Sequence, residues 1–535
     1  MKLNEKELMN KSLWKGYKLY NYDRESIRKN TEKRPQWVHF GAGNIFRIFP
    51  AGLCQKLLNE GLMDTGIVVG EGFDFEIIDN IYKPHDSLTT AVTLKADGSI
   101  EKEIIGSVVS ANKVDPSSED YLVLASAIKN PTLQMISFTI TEKGYALYAP
   151  DGTLFKGYEK DFSLPLKDAS MFLCRLTALL YERYTESKAP IALVSMDNCS
   201  HNGEKLKNAM VTIAKSYQEK GEVSLDFVGW ISDEKCVSFP WSMIDKITPR
   251  PDDSVKAMLE KDGYEDAEPI ITSKHTYIAS FVNAEEPQYL VIEDNFANGR
   301  PALEKAGVYF CDRETVNKVE RMKVCTCLNP LHTALAVSGC LLGYNLIANE
   351  MKDPDLKKMV EILGYKEGLP VVTNPGIIDP KAFIDEVLCV RIPNPFMPDT
   401  PQRIATDTSQ KLSIRIGETI KAYIASDDLD VNTLKVAPLV YALWLRYLLG
   451  VDDEGNTFTL SPDPMLTTVQ PIVSSIKLGD KGPFESTLKS LLKNETIFGL
   501  DVTTTPLYPV ILDYFTRLVS AKGAVRKTIH EVVNI

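Results

Sequence analysis

The sequence predicts an α/β amino-terminal domain followed by a mostly α-helical carboxy-terminal domain. In the first half of the chain, short apolar segments alternate with helical patterns, which is typical of a largely parallel sheet covered on both faces. From about residue 300 onward, long helical patterns dominate, such as those over residues 333–350 and 436–449. We therefore predict two domains, residues 1–295 and residues 296–535.

Short apolar segments predict the strands of that sheet. They cover residues 36–40, 66–70, 122–125, 133–139, 191–195 and 225–231. A helical pattern over residues 49–58 follows the first strand, and residues 1–33 have the polar composition of a helical or irregular arm.

Length and composition exclude several classes of protein. A chain of 535 residues is too long for one ordinary core, and its 44% hydrophobic and 25% charged residues indicate a folded, soluble protein. The formal charge of -12 and the pI near 5.3 argue against nucleic acid or an anionic membrane as the main partner. An anionic substrate would therefore need a local cationic pocket.

The chain is expected to reside in the cytoplasm. No run approaches the roughly 18 to 20 apolar residues of a membrane helix, and the amino terminus lacks the apolar core of a signal peptide. Nine cysteines, scattered and odd in number, are typical of free thiols in a reducing compartment. Oligomeric state is not predicted, because core and subunit interface leave the same apolar signature.

A glycine turn follows the first predicted strand. Strand, glycine turn and helix in this order form the phosphate cradle of a dinucleotide-binding fold, because the helix amino terminus offers free N–H groups. The G-x-G-x-x-G pattern is incomplete, since Phe46 holds its third position, and a simple tight turn is the alternative. The residues that we assign to cofactor binding here are Gly41, Gly43, Asn44, Ile45, Phe46 and Arg47.

Acidic residues end the second predicted strand. Glu71 and Asp74 lie about 30 residues beyond the glycines, where a carboxylate accepts hydrogen bonds from the adenosine ribose and repels a 2'-phosphate. This placement favours NAD over NADP as cofactor. A solvated loop carboxylate is the alternative for each residue.

A third feature gathers Lys323, Asn329 and His332 at the start of a long apolar segment. Hydride transfer to a ketone leaves negative charge on oxygen, which polar donors stabilise until an acid protonates it. A lysine serves as that acid when burial lowers its pKa towards neutrality. Cys325 and Cys327 lie between these residues, but no second ligand pair with zinc spacing follows, so we predict no metal site.

We predict irregular helix between residues 323 and 330. On a regular helix Lys323 and His332 would point to opposite faces, at about 100 degrees per residue. Side chains on opposite faces of a helix could not reach one substrate. Pro330 lacks the N–H that a regular helix would use, so either a π-bulge or a helix beginning at Pro330 would allow Lys323 and His332 to do so.

The chain resembles the polyol-specific long-chain dehydrogenases, the mannitol dehydrogenase family. Five blocks carry the resemblance in the family's order, at residues 39–47, 195–203, 239–249, 323–332 and 403–411. The resemblance implies a Rossmann-type amino-terminal domain, a mostly helical carboxy-terminal domain, and NAD-linked, metal-independent interconversion of a ketose or keto-acid with its polyol.

The resemblance also implies a role for each matching residue. Lys323 would be the general acid in reduction and the general base in oxidation, Asn329 and Asn198 would donate hydrogen bonds to the oxygen, and His332 would hold a substrate hydroxyl. Asp245 would lie near the lysine and modulate it or bind a hydroxyl. An ordinary turn residue is the alternative for Asn198, and a surface ion pair is the alternative for Asp245.

Cationic residues favour a sugar acid as substrate. Arg403 and Lys411 lie in the block where the family contacts distal substrate groups, and a guanidinium suits a carboxylate. The run Asn394–Arg403 resembles the uronate-reductase branch of the family. This resemblance implies, as the expected reaction, reduction of D-fructuronate to D-mannonate by NADH. The alternatives are a tagaturonate reductase, then a mannitol 2-dehydrogenase, and, from a different class, a noncatalytic NAD-binding protein.

Overall fold

The computed structural model describes residues 1–534, which form two compact units. The first unit comprises Met1–Leu94 and Ser99–Asn317, and the second comprises Lys95–Gly98 and Lys318 onward. The main division falls at residue 317, C-terminal to the predicted domain boundary at residue 295.

Strands are concentrated in the first unit. Their bounds are β1 (Trp37–Phe40), β2 (Ile67–Glu71), β3 (Thr89–Leu94), β4 (Ile100–Ile105), β5 (Val108–Lys113), β6 (Met135–Phe138), β7 (Ile191–Ser195), β8 (Val237–Ser238), β9 (Ser242–Asp245), β10 (Ile270–Ile271), β11 (Tyr277–Ile278), β12 (Phe281–Glu285), β13 (Tyr289–Glu293) and β14 (Tyr309–Cys311).

A six-stranded sheet with the order β5-β2-β1-β6-β7-β8 forms the centre of this unit. All neighbouring strands in it are parallel. The chain winds outward in both directions from the β1–β6 pair, so the carboxyl ends of these two strands border the crevice where doubly wound sheets bind ligands. The predicted parallel α/β class is therefore confirmed.

Three smaller sheets complete the strand content of the first unit. Their orders are β12-β3-β4, β14-β13-β9 and β10-β11. The pair β12–β3 is parallel and β3–β4 is antiparallel, while β13 pairs in parallel with β14 and antiparallel with β9.

Helices alternate with the strands along the first unit. The helices up to the last residues of this unit are α1 (Glu5–Leu8), α2 (Arg24–Lys33), α3 (Asn44–Ile48), α4 (Pro50–Asn59), α5 (Glu119–Lys129), α6 (Lys156–Asp161), α7 (Phe172–Glu186), α8 (Asn202–Glu219), α9 (Leu225–Ser232) and α10 (Asp253–Lys261). Of these helices, α2, α5, α8 and α9 contact strands of the central sheet.

Two strand predictions were wrong. Residues 122–125 lie in α5 and residues 225–231 lie in α9. Ser118 and Ser224 accept hydrogen bonds from the backbone N–H groups of Asp120 and Phe227, and so cap the two helices. A short apolar run is compatible with either periodicity, and here its buried residues belong to one face of a helix.

The second unit is built from helices. The chain enters it within α11 (Arg313–Met322) and continues through α12 (Asn329–Leu342), α13 (Ile347–Glu350), α14 (Pro354–Glu361), α15 (Pro380–Glu386), α16 (Pro401–Ile404), α17 (Glu418–Ala425), α18 (Val436–Tyr447), α19 (Leu466–Val473), α20 (Glu485–Leu492), α21 (Glu495–Phe498), α22 (Tyr508–Val519) and α23 (Ala524–Val533).

Helices α12 and α18 form the core of the second unit. Every residue of α18 is buried, and this helix packs against α12, α22 and α23. The predicted helix over residues 333–350 is divided, because Gly343 ends α12 in the left-handed region, with φ 76°.

Segments of π-helix and 3-10 helix interrupt the regular elements. The π-helical segments are Ile78–Tyr82, Lys323–Cys327, Ile362–Gly368, Val387–Arg391 and Ser413–Gly417. The 3-10 segments are Lys83–His85, Glu142–Tyr145, Leu166–Asp168, Leu303–Ala306, Leu369–Val371, Thr408–Gln410, Val431–Thr433 and Val502–Thr504.

The helical stretch Arg313–Leu342 is the one segment of residues 1–534 that is long and apolar enough to cross a membrane by length and composition. Its most apolar window has a mean hydropathy of 1.3, and 83% of that window is buried within the structure. Burial of this extent is typical of a core helix.

Glu350, the last residue of α13, holds its carboxyl group in the interior of the second unit. The side chain is fully buried, and among residues 1–534 neither carboxyl oxygen has a hydrogen-bond partner. Burial, assisted by the charge of Asp353, raises the pKa of Glu350 to about 9. The folded unit therefore keeps a proton that an unfolded chain releases at a much lower pH.

We expect this group to make stability fall with rising pH. Its contribution is fully present below the ordinary pKa of 4.5 and is lost progressively as pH rises to about 9. The loss amounts to at most about 1.4 kcal/mol per pH unit. Urea unfolding of Glu350→Gln should therefore show a flatter decline across this window than the wild type. The exposed control Glu454→Gln should keep the wild-type slope, and an unchanged slope in Glu350→Gln would contradict the assignment.

Candidate active site

The turn after β1 requires glycine at its first position. Gly41 has φ +106°, and a Cβ built there would lie 2.2 Å from the carbonyl oxygen of Thr139. The Gly41 N–H donates to the Gly70 carbonyl at 3.0 Å, so the turn is tied to the adjacent strand β2. The turn thus lies where β1 and β6 end side by side, at the switch point of the sheet.

The next residues present an open surface. Gly43 precedes α3 with an ordinary φ of -78°, and a Cβ added there would meet no atom within 4 Å. Gly43, Asn44 and Ile45 are partly exposed, and Asn44 Oδ1 is buried with no hydrogen-bond partner among the described residues. These three residues leave room for a ligand to approach the backbone at the start of α3.

Phe46 and Arg47 support the turn from the protein side. Phe46 stacks on the ring of His39 with centroids 3.9 Å apart. The buried guanidinium of Arg47 donates to Thr89 Oγ1 and to the carbonyl oxygens of Ala279 and Ser280. Both side chains are enclosed, so any contact of these residues with a cofactor would come from their backbone.

His39, a buried and uncharged residue of β1, lies next to the glycine turn. Its ring nitrogens lie 2.6 Å from Ser137 Oγ and 2.9 Å from Thr139 Oγ1. Burial lowers the pKa of His39 to about 3, so the ring carries no charge at neutral pH. Thr139 Oγ1 also donates to the Gly41 carbonyl, which couples the end of β6 to the turn.

Glu71 and Asp74 are both buried at the end of β2. The Glu71 carboxylate accepts hydrogen bonds from the N–H groups of Ala42, Phe73 and Asp74, so it braces the glycine turn. Burial raises the pKa of Glu71 despite these bonds. Asp74 Oδ2 accepts from Thr272 Oγ1 at 2.6 Å, whereas Asp74 Oδ1 is buried and finds no hydrogen-bond partner within residues 1–534. Contact of either carboxylate with a ribose stays a prediction.

Asp197, which the sequence analysis did not single out, organises the loop after β6. Its two carboxylate oxygens accept hydrogen bonds from the N–H groups of Ile140, at 3.0 Å, and Thr141, at 2.8 Å. Tyr145 Oη donates to the same carboxylate at 2.5 Å. Thr141 has φ +65°, a strained conformation for a β-branched residue, and these bonds hold it. Asn198 follows Asp197 directly and is exposed.

A buried amide connects the Asn198 loop with the strand of Asp245. Asn202 Nδ2 donates to the carbonyl oxygens of Asp197 and Ser242, each at 3.0 Å. Asn202 Oδ1 accepts from the Ser242 N–H, and Ser242 is the first residue of β9, which ends at the buried Asp245. The first unit therefore fixes the backbones beside Asn198 and Asp245 relative to each other.

The second unit places Lys323 on a π-helical turn. The Leu328 N–H donates to the Lys323 carbonyl at 3.1 Å, five residues back, and Leu328 leaves the helical conformation with φ -127° and ψ -62°. Helix α12 then begins at Asn329 with Pro330 in its first turn. The prediction of irregular helix between residues 323 and 330 is confirmed.

This irregular turn changes the direction of the side chains that follow. A π-turn contains one more residue than a regular turn, which rotates the next helix by about 100 degrees. Lys323 is buried, while Asn329 and His332, three residues apart on α12, are partly exposed on neighbouring positions of one face.

The predicted cationic residues differ in their surroundings. The Arg403 side chain is 62% exposed and is paired with Asp399. The Lys411 ammonium donates to the backbone carbonyls of Ile404 and Thr406, and burial, followed by the charge of Arg415, lowers the pKa of Lys411. Arg415, which the sequence analysis did not identify, lies one turn after Lys411 on the π-helical segment Ser413–Gly417.

The cysteines near Lys323 have the character of core thiols. Burial raises the pKa of Cys325 to about 11 and that of Cys327 to about 12, values that keep both protonated. Within residues 1–534, no group of three or more His, Cys, Asp and Glu side chains is placed to hold a metal ion. Independence of the reaction from metal stays a prediction.

The structure thus assembles two groups of predicted residues. The first unit holds the glycine turn, the two acidic residues, Asn198 and Asp245 around the β1, β2, β6 and β7 ends and β9. The second unit holds Lys323, Asn329, His332, Arg403 and Lys411. Convergence of the two groups on one substrate stays a prediction.

Sequence comparison matches both parts of the chain to one family. The mannitol dehydrogenase Rossmann domain matches residues 35–305, and the mannitol dehydrogenase C-terminal domain matches residues 315–510. Together the two matches cover most of the 535 residues.

Individual relatives match along most of their length. The chain is 51% identical to the D-mannonate oxidoreductase of Thermotoga maritima, over 100% of this chain and 99% of that protein. It is 30% identical to the D-mannonate oxidoreductase of Escherichia coli, over 88% of this chain and 92% of that protein. Pseudomonas fluorescens mannitol 2-dehydrogenase, solved as a ternary complex with NAD and D-mannitol, matches with a TM-score of 0.70 and 27% identity over 100% of both chains.

The glycine turn at the switch point, the helical unit that carries Lys323 and these full-length matches lead to one conclusion. The chain belongs to the mannitol dehydrogenase family.

Proposed function

We propose that this protein is an NAD-dependent oxidoreductase that interconverts D-fructuronate and D-mannonate. The observation that carries the substrate assignment is the 51% identity, along the complete chain, to a D-mannonate oxidoreductase. The proposed location is the cytoplasm, and the proposed partners are small molecules, with no role for nucleic acid or a membrane.

The glycine turn supports NAD as the cofactor. Gly43 and the following residues leave space beside the backbone at the start of α3, which suits a pyrophosphate at a switch point. The buried carboxylates of Glu71 and Asp74 at the end of β2 would disfavour the 2'-phosphate of NADP. A bound NADH supplies the hydride that the ketone carbon accepts.

Lys323 is proposed to move the proton. In reduction its ammonium gives a proton to the oxygen of the former ketone, and in oxidation its amine takes that proton from the hydroxyl. The side chains of Asn198 and Asn329 would donate hydrogen bonds to the developing oxyanion, because amides do not titrate across the working pH range. His332 would orient a neighbouring hydroxyl, and Asp245 would bind a hydroxyl or act on the lysine.

NADH absorbance followed with D-fructuronate, D-tagaturonate and D-fructose in parallel tests the substrate assignment. We expect the highest kcat/KM with D-fructuronate. Preference for D-tagaturonate would favour a tagaturonate reductase, and preference for D-fructose would favour a mannitol 2-dehydrogenase. No NADH oxidation with any of the three substrates would favour a noncatalytic NAD-binding protein.

Removal of the Lys323 amine tests the proton transfer. Lys323→Ala should lower kcat by about 100-fold to 10,000-fold, the usual contribution of a general acid. NADH affinity, measured by fluorescence titration, should stay near the wild-type value. Lys527→Ala, at a lysine with a 76% exposed side chain, provides the matched control. A kcat close to wild type in Lys323→Ala would refute the assigned role.

Alanine substitutions at glycines separate cofactor binding from folding. Gly43→Ala should fold normally, since a Cβ there meets no atom within 4 Å, but should weaken NADH binding at least about tenfold by blocking backbone approach to the pyrophosphate. Gly41→Ala should destabilise the unit itself, because its Cβ overlaps the Thr139 carbonyl. Gly52→Ala, in open space on α4, is the control and should bind NADH normally. Unaltered NADH affinity in Gly43→Ala would place the cofactor elsewhere.

A further inference from the structure

The surroundings of Arg415 differ from those of three fully buried arginines, Arg47, Arg183 and Arg446. Arg183 and Arg446 each engage all three guanidinium nitrogens with backbone carbonyl oxygens, and Arg47 engages its three nitrogens in the same way with two carbonyls and a hydroxyl. Among residues 1–534, Arg415 makes one side-chain hydrogen bond, from Nη1 to Thr333 Oγ1 at 2.8 Å, and no carboxylate pairs with it.

This guanidinium therefore lacks most of its partners. An arginine side chain carries five N–H donors, and four of those on Arg415 have no protein acceptor within the described residues. The side chain is half-buried, and this burial lowers the pKa of Arg415 to about 10 without an opposing carboxylate. A partly desolvated cation in this state gains free energy from a planar anion that accepts two parallel hydrogen bonds.

The position of Arg415 connects it with the proposed catalytic residues of the same unit. The segment Ser413–Gly417 packs against both the π-turn of Lys323 and helix α12. Thr333, which receives the Arg415 hydrogen bond, lies four residues after Asn329 and so occupies the same face of α12. One helical turn rises about 5.4 Å, a separation that a six-carbon sugar acid can span.

Three cationic side chains, those of Arg403, Lys411 and Arg415, lie near one another in this part of the second unit. Lys411 lies one turn before Arg415, and burial lowers the pKa of Lys411 most, followed by the charge of Arg415. The charges of Asp407 and Asp463 act in the opposite direction, and that of Arg403 lowers this pKa further. The Lys411 ammonium is occupied by backbone carbonyls, and Arg403 is paired with Asp399. Of the three cations, Arg415 alone has no carboxylate or carbonyl partner among residues 1–534.

We infer that Arg415 is the residue that binds the substrate carboxylate and so selects a sugar acid over a neutral polyol. The inference rests on the proposed function, because it assumes an anionic substrate at the site of Lys323. The carboxylate would accept two hydrogen bonds from the guanidinium, while Thr333 Oγ1 accepts another from Arg415 Nη1 and so orients it. A neutral sugar would leave the guanidinium desolvated and unpaired, which is how the site would discriminate.

Steady-state kinetics with D-fructuronate test this inference. Arg415→Met should raise KM at least about 100-fold, the usual cost of removing one partner of an enclosed charge pair. Arg415→Lys keeps the charge but loses the two parallel donors and should raise KM about tenfold. Thr333→Val should have a smaller effect in the same direction, since it removes only the hydroxyl that orients the guanidinium. Arg526→Met, at an exposed arginine paired with Asp353, is the matched control.

The outcomes separate this inference from the proposed function. NADH affinity and the unfolding midpoint establish whether each variant folds. If Arg415→Met does not fold, the KM values of Arg415→Lys and Thr333→Val provide the test. A wild type that is inactive on D-fructuronate would overturn the proposed function itself. A wild type active on D-fructuronate, with normal KM in the Arg415 variants or with the main loss in Arg403→Met, would overturn only the assignment of Arg415.

Discussion

One additional residue in the turn after Lys323 determines how the second unit presents its polar side chains. The bond from the Leu328 N–H to the Lys323 carbonyl closes a π-turn, and Leu328 then leaves the helical conformation so that α12 can begin at Asn329. A regular helix would have directed Lys323 and His332 to opposite faces. Because Pro330 cannot donate the hydrogen bond that a regular helix needs, the irregular geometry costs little there.

In the first unit, buried polar groups hold the backbone around the predicted site residues in place. Glu71 braces the glycine turn, Asp197 holds the strained Thr141, and Asn202 joins the Asn198 loop to β9. Each of these groups lies inside the unit with hydrogen bonds to backbone atoms, where an unmade bond costs free energy of about 1 to 3 kcal/mol. Such networks fix side chains that chemistry requires in one orientation, because every alternative leaves a buried polar atom unpaired.

Local charge and overall charge oppose each other in this protein. The chain carries a formal charge of -12, yet Lys411 and Arg415 are partly withdrawn from water on adjacent turns of one segment. Withdrawal of cations from water is unfavourable unless an anion accompanies them. In the free protein this unfavourable free energy of desolvation is not offset. An anionic ligand bound beside the two cations would offset it.

The sequence by itself determined the features that depend on neighbouring residues. Alternating strands and helices, the glycine turn after β1 and the irregular helix around Pro330 all follow from patterns within a few residues. The strand predictions at α5 and α9 were wrong, because a short apolar run is compatible with a strand or a helix and only tertiary packing selects between them. The roles of Asp197, Asn202 and Arg415 were not predicted, because each has a partner distant in the chain, such as Ile140 for Asp197 and Ser242 for Asn202. Arg415 meets Thr333 across 82 residues. Tertiary structure alone decided which polar groups became enclosed and which of them kept unused hydrogen-bonding capacity, because burial and partnership are properties of the folded chain.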